Sequence, residues 1–117
     1  MSTINVSNLN DGTKTVATTL VTNGSARAWS NSSSTAIRDS FGISSFTDNG
    51  TGDYSHALTN SFSSDDYAIG AAGFSSSARS CTLDNAQTSS DVRVHLYTSS
   101  GALVDTSCTF AAFGDLA

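Results

Sequence analysis

The sequence predicts an all-β fold, an antiparallel β-sandwich-like domain preceded by an extended N-terminal arm. Three observations predict it. Short segments alternate apolar and polar residues; turn-forming residues interrupt them at intervals of about ten positions; and no segment carries apolar residues at the three-and-four spacing of an amphipathic helix. Serine and threonine fill roughly a third of the chain, and strong helix formers are sparse. Proline is absent, so no strand is barred from a sheet interior by a missing N–H. At 117 residues the chain suits one domain whose core is small, which makes self-association an expected source of further stability.

Taken in order, residues 1–25 differ from the rest. "NVSNLNDGTKTVATTLVTNGS" spaces its apolar residues widely and has no aromatic ring before "ARAW" begins. It reads as an attachment arm, ordered by docking on a neighbour, with residues 26–117 forming the sandwich. "FGISSF" and "DYSHALTNSF" then bracket the stretch "TDNGTGDY", and "DYAIGAAGF" and "SARSCTLDNAQ" supply further strands. In "DVRVHLYT", Val92, Val94 and Leu96 share one face, and Arg93, His95 and Tyr97 share the other. "ALVDTSCTF" places Ala102, Val104, Thr106, Cys108 and Phe110 on a single face. The intervening "TSSG" is a hairpin signal with Gly101 free to take positive φ, so Val92–Tyr97 and Ala102–Phe110 are expected to pair as adjacent antiparallel strands.

Charge narrows the function classes. Charged residues make up 13% of the chain, about half the usual share. A net charge of −5 without a basic run argues against a nucleic-acid partner, because phosphate neutralisation supplies most of that affinity. No stretch approaches the length of a membrane span. "MSTINVSNLN" lacks the basic start and apolar centre of a signal peptide, so the product is expected to begin at or beside Met1 and to be made in the cytoplasm. Cys81 and Cys108 read as small buried thiols, with a single strand-to-strand bridge as the alternative.

The stretch from Asp48 to Asp53 is the most motif-like. A calcium loop alternates its ligands and closes with a bidentate glutamate, yet Asp48 and Asn49 are adjacent and the chain contains no glutamate. A phosphate cradle opens a helix and is followed by lysine, whereas "YSHAL" reads as a strand. Asp48, Asn49, Gly50, Gly52 and Asp53 therefore read as a structural turn. Gly50 and Gly52 would be left-handed, and Asp48 and Asn49 would bond their own backbone. The residues call for no metal and no cofactor.

Catalytic signals are weak. His56 and His95 lie on alternating strands and read as surface or interface histidines. No G-x-S-x-G elbow gives any serine the geometry of a nucleophile. Asp65 and Asp66 are neighbours in "SDDYA", so they read as a solvated turn rather than a pair sharing a proton. Arg38 and Asp39 stand out in so charge-poor a chain as candidates for an inter-subunit salt bridge.

"ARAW", "AIRDSFGISSFTDNGTGDYS", "DDYAIGAAG" and "VRVHLYTSSGALVDTSCTFAAFG" resemble, in that order, a recurrent domain in small structural proteins of tailed bacteriophages, above all marine and cyanobacterial phages. Trp29, Ile37, Arg38, Asp39, residues 48–54, Tyr67, Ala68, Phe113 and Gly114 match its pattern. "SNSSSTA" after Trp29 and "SHALTNSF" after Tyr54 depart from it. The resemblance implies a tail-fibre or other virion structural protein and brings no catalytic residue.

Together these readings predict a non-enzymatic structural protein on the virion exterior. Its β domain would decorate and stabilise the capsid or form a short fibre. Its partners would be further copies of itself, as a trimer, and capsid or tail proteins gripped by the arm. A tail-fibre tip that recognises a host surface receptor is the alternative. An enzyme such as a depolymerase would need a shaped cleft with convergent carboxylates, for which the sequence offers no pattern.

Overall fold

The computed structural model describes residues 1–84 and 87–117; Asn85 and Ala86, in the "SARSCTLDNAQ" segment, lie outside that description. The N-terminal segment corrects the first expectation, because it is not extended throughout. Strands β1 (Asn8–Asn10) and β2 (Thr15–Ala17) pair as an antiparallel hairpin, and helix α1 (Thr18–Gly24) follows directly. Local chemistry explains the hairpin. The Asp11 carboxylate accepts hydrogen bonds from the Thr13 and Lys14 N–H groups at 2.9 and 2.8 Å, and Gly12 takes φ of 94°. This is an Asx-type turn that needs no tertiary support. Its burial is as sparse as the sequence implies: α1 has no buried residue, and the buried core begins only at Ala28.

From Ala28 onward the chain forms the expected antiparallel sandwich. One sheet contains β3 (Ala28–Ser32), β4 (Ile37–Phe41), β7 (Ala68–Phe74) and β10 (Ser107–Phe113), in the order β4-β3-β10-β7. The other contains β5 (Ile43–Gly50), β6 (Asp53–Leu58), β8 (Arg79–Leu83) and β9 (Asp91–Thr98), in the order β5-β6-β9-β8. Alternation decides which side chains face inward. Val92, Val94 and Leu96 of β9 are wholly buried, as are Tyr54 and His56 of β6. They meet Ala28, Cys108, Phe110 and Ala112 from the facing sheet. Edge strands β4 and β5 are irregular: the register shifts between Asn31 and Ser32 where β3 meets β4, and twice along β5.

The expected pairing of Val92–Tyr97 with Ala102–Phe110 fails, and the way it fails defines the fold. The turn forms as read: Gly101 has φ of 84°, its N–H reaches the Thr98 carbonyl at 3.0 Å, and Thr98 N–H reaches the Ala102 carbonyl at 2.8 Å. Val104 N–H still bonds the Leu96 carbonyl at 3.0 Å. Beyond that point the chain leaves β9 for the opposite sheet, where β10 pairs with β3 and β7. On β9, the side next to the departed strand segment is taken by β6, and the other side by β8.

The departure is fixed at Asp105. Its Oδ1 accepts hydrogen bonds from the Gly52 N–H at 2.8 Å and from the Tyr54 hydroxyl at 3.0 Å. The Gly52 carbonyl in turn accepts the Leu96 N–H at 2.8 Å. Burial, then the Asp105 carboxylate, lifts the Tyr54 phenol above its ordinary range, so it stays a donor at any physiological pH. Gly52, at φ of 65°, has no room for a side chain: a Cβ would stand 2.7 Å from the Leu96 oxygen and 2.8 Å from the Val104 nitrogen. Gly101 is also left-handed but open to solvent. Gly101→Ala is therefore expected to lose about 1–2 kcal/mol from backbone strain alone. Gly52→Ala adds a backbone collision and is expected to lose distinctly more in chemical denaturation; equal losses would show that the Gly52 contact carries no weight.

Candidate functional site

The turn of residues 48–53 is where the sequence placed it. Gly50 and Gly52 have positive φ, and Asp48 Oδ1 accepts the Gly50 N–H at 3.0 Å. Asn49 departs from its expected role. Its amide donates to Ser55 Oγ at 2.8 Å and to Asp53 Oδ1 at 3.3 Å instead of bonding its own backbone.

Asp53 holds the strongest ion pair among the described residues, which sequence reading did not find. Arg93 donates to it through two nitrogens, Nε at 2.8 Å and Nη2 at 2.6 Å. Arg93 Nε also lies 3.3 Å from Asp84, and His95 Nε2 lies 3.4 Å from Asp53. Register explains the cluster, since β6 and β9 pair Asp53 with His95 and Ser55 with Arg93 on the outer face of the β5-β6-β9-β8 sheet. The outward position of Arg93 was legible from alternation; its partner depended on pairing between strands far apart in sequence. Arg93 hydrogen bonds, assisted by Asn49, pull the Asp53 carboxyl down to about 2. The fork geometry suits a carboxylate and fixes register. As the folded value is depressed, Asp53 stabilises the fold above its ordinary pKa, and that contribution disappears as pH falls from about 4 towards 2. In Asp53→Asn, acid unfolding is expected to lose that branch of its pH dependence, and calcium is expected to leave the melting temperature of the native protein unchanged.

His56 is the clearest correction to the sequence reading: it is a core residue, fully buried between the sheets. Its Nε2 lies 3.4 Å from Ser32 Oγ, which lies 3.1 Å from Cys108 Sγ. The rings of Phe46 and Phe110 meet it edge to face at 5.2 and 4.9 Å. Although serine, histidine and cysteine converge here, enclosure bars a substrate. Burial drives the imidazole down to about 4, keeping it neutral. The thiols behave similarly. Cys108 is buried and Cys81 half-buried, both are free, and burial pushes Cys81 up to about 11, with Cys108 adding to the effect. Unfolded histidine binds a proton near pH 6.5, so His56 opposes folding increasingly as pH drops from about 6.5 to 4, by on the order of 3 kcal/mol. Asp91, raised by burial, works in the opposite sense. His56→Gln, which retains a hydrogen-bonding amide, is expected to flatten the stability profile in this window; an unchanged profile would assign the dependence elsewhere.

Arg38 and Asp39 sit side by side on β4 and form none of the ion pairs found among the described residues. Both are exposed. The Asp39 carboxylate accepts the Ser40 N–H at 2.9 Å. The Arg38 guanidinium carbon stands 5.7 Å from the centre of the Phe74 ring, on the opposite edge strand of the same sheet. The two residues therefore border an outer face on which the cross-strand register aligns Phe41, Trp29, Ala111 and Gly70 in one row. Asp39, Asn31, Thr109 and Ala72 form the next. Trp29 is 36% exposed and Phe41 58%. Sequence reading picked out Trp29 but not its outward orientation, which follows from the burial of Ala28, Ser30 and Ser32 on the other side of β3.

Among the described residues, no group of histidine, cysteine or acidic side chains is arranged to hold a metal, and no helix is long and apolar enough to cross a membrane. Comparison with protein-family models, curated proteins and solved structures finds no match for this chain. The functional reading rests on the geometry and on the resemblance of the motifs.

Proposed function

We propose that this chain is a non-enzymatic structural protein on the exterior of a tailed bacteriophage virion. In this reading the sandwich decorates the capsid or forms a short fibre, and residues 1–25 attach it. The observation that carries the proposal is the N-terminal unit. It is folded locally, yet Ile4, Leu9, Leu20 and Val21 are exposed and the core begins only beyond it. The molecule is accordingly long, 51 Å against 27 and 24 Å in the other directions. Isolated apolar side chains are ordinary on a surface, but this unit concentrates them on a segment that the sandwich does not need. A largely polar appendage that exposes its few apolar side chains and lies outside the buried core is the form expected of an anchor.

Other features agree with a structural role. His56 is sealed from solvent, and the charged cluster around Asp53 is an internally paired set. A surface rich in hydroxyls and poor in charge suits close packing of identical copies, and we propose a trimer. Copies would gain about 25 cal/mol for each Å² of apolar surface removed from water between them. The exposed Trp29 and Phe41 favour the second reading, a tail-fibre tip that contacts the host surface.

Deletion of residues 1–25 provides the test. The truncated protein is expected to keep the sandwich's melting behaviour and its oligomeric state, and to lose incorporation into particles. Full occupancy by the truncated protein would refute anchoring by this segment. Sedimentation of the intact protein as a monomer at micromolar concentration, together with isolated single copies on the particle, would refute the trimer.

A further inference from the structure

We propose that the outer face of the β4-β3-β10-β7 sheet is a saccharide-binding site, with Trp29 as the stacking platform and hexopyranose units of a polysaccharide as the ligand. The inference goes beyond the structural role and does not depend on how the N-terminal segment attaches.

The chemical pattern of the face carries it. A pyranose ring presents an apolar C–H surface bounded by hydroxyls, so its complement is an aromatic face beside groups that both donate and accept hydrogen bonds. The indole of Trp29 and the ring of Phe41 lie on directly paired positions of adjacent strands, both exposed. The π face of such a ring carries negative potential, which attracts polarised C–H groups. In the next row stand a carboxylate, an amide and a hydroxyl on Asp39, Asn31 and Thr109, in continuous register. These side chains together supply donors and acceptors in the mixture that sugar hydroxyls require.

The shape selects among occupants. Gly70, Ala71, Ala72, Thr109 and Ala111 line a shallow open trough beside Trp29. With such small residues on β7 and β10, nothing stands up to obstruct a flat ring or a chain of rings. A partner helix would call for a continuous apolar groove, and a second copy of this chain is distinguished by the experiment below. Here the apolar row is interrupted by the polar one, and Arg38 crosses toward Phe74 to close the far side. Two rows of unlike chemistry, one strand-repeat apart, fit a ligand that is itself apolar on its face and polar on its rim.

Trp29 is the single tryptophan of the chain, so its fluorescence reports on this face alone. The intact protein would be titrated with dextran, mannan, galactan and xylan oligosaccharides while tryptophan emission is followed, and binding would be confirmed by affinity electrophoresis in gels containing the same polysaccharides. At least one of the hexose polymers is expected to give a saturable emission shift and to retard the protein, with xylan, a pentose polymer, weaker. Asn31→Ala is expected to weaken the fluorescence titration, and Trp29→Ala to weaken retardation about tenfold, the loss of one stacking contact. Tyr97→Ala, on the opposite sheet, serves as a control and should bind normally. With Trp29 only 36% exposed, Trp29→Ala is expected to lower the melting temperature, so weaker binding is checked also in Trp29→Leu, which fills the covered space without an aromatic face and is expected to melt nearer the native protein. Binding that survives Trp29→Ala undiminished overturns the proposal, as does the absence of any response to the hexose polymers. A third contrary result would be dissociation of an oligomer by Trp29→Ala without saccharide binding, which would make the face a subunit contact.

Discussion

The carboxylate of Asp105 is the point on which the two sheets depend. Strand β9 is central to one sheet and β10 to the other, so the short connection between them sets where the sheets face each other. That connection begins as a hairpin and must stop being one after Val104. By accepting the Gly52 N–H and the Tyr54 hydroxyl, Asp105 ties the crossover to the β5–β6 turn, far away in sequence. A hydrogen bond to a charged acceptor contributes about 1.5–3 kcal/mol, and although Asp105 itself is exposed, its loss would take the partner from the hydroxyl of the buried Tyr54. Gly52 is the counterpart of that demand, since only a residue without Cβ lets the turn approach the crossover backbone.

The few charges of the chain are spent unevenly. Arg93 gathers Asp53 and Asp84 on one outer face, while the opposite outer face carries aromatic rings, small residues and hydroxyls, with Arg38 and Asp39 outside any ion pair among the described residues. Inside, polarity is met by neutral groups: Ser30, Ser32 and His56 are fully buried, and low dielectric surroundings keep the imidazole uncharged. The sandwich thus has a paired-ion side, a neutral polar-and-apolar interior and an aromatic side, which explains how a domain with little electrostatic steering presents two chemically distinct surfaces.

Fold class was legible because alternation is a local property. Val92, Val94 and Leu96 face inward as their spacing dictates, and the turns at Asp48–Asp53 and Thr98–Gly101 follow from glycine and Asx chemistry within a few residues. Sheet membership was not legible. The signal for a hairpin at "TSSG" is genuine, but the switch of sheets is decided by Asp105 meeting Gly52 and Tyr54, a contact that no short window contains. The same limit hid the Asp53–Arg93 pair, and it made His56 look like a surface residue when strand position alone placed it beside hydroxyls. In the N-terminal segment the error ran the other way. Widely spaced apolar residues read as an extended arm ordered by docking, whereas a hairpin closed by Asp11 and Gly12 requires only local bonds. For the aromatic face, Trp29 was visible, but its neighbours Phe41, Asn31 and Thr109 come together only through β3 pairing on both sides.

The irregular edge strands bear on how such a protein behaves when crowded. β4 and β5 are each the outermost strand of their sheet, and each has a shifted register. An exposed edge normally offers an unbroken ladder of N–H and C=O groups to any similar edge nearby, and proline or charge commonly blocks it. This chain has no proline and few charges. Bulges do that work instead by twisting the edge out of the plane a neighbouring sheet would need. Strand addition is thereby hindered at the β4 and β5 edges and left to the regular opposite edges, β7 and β8, so that copies held at high local concentration can extend each sheet from one side only.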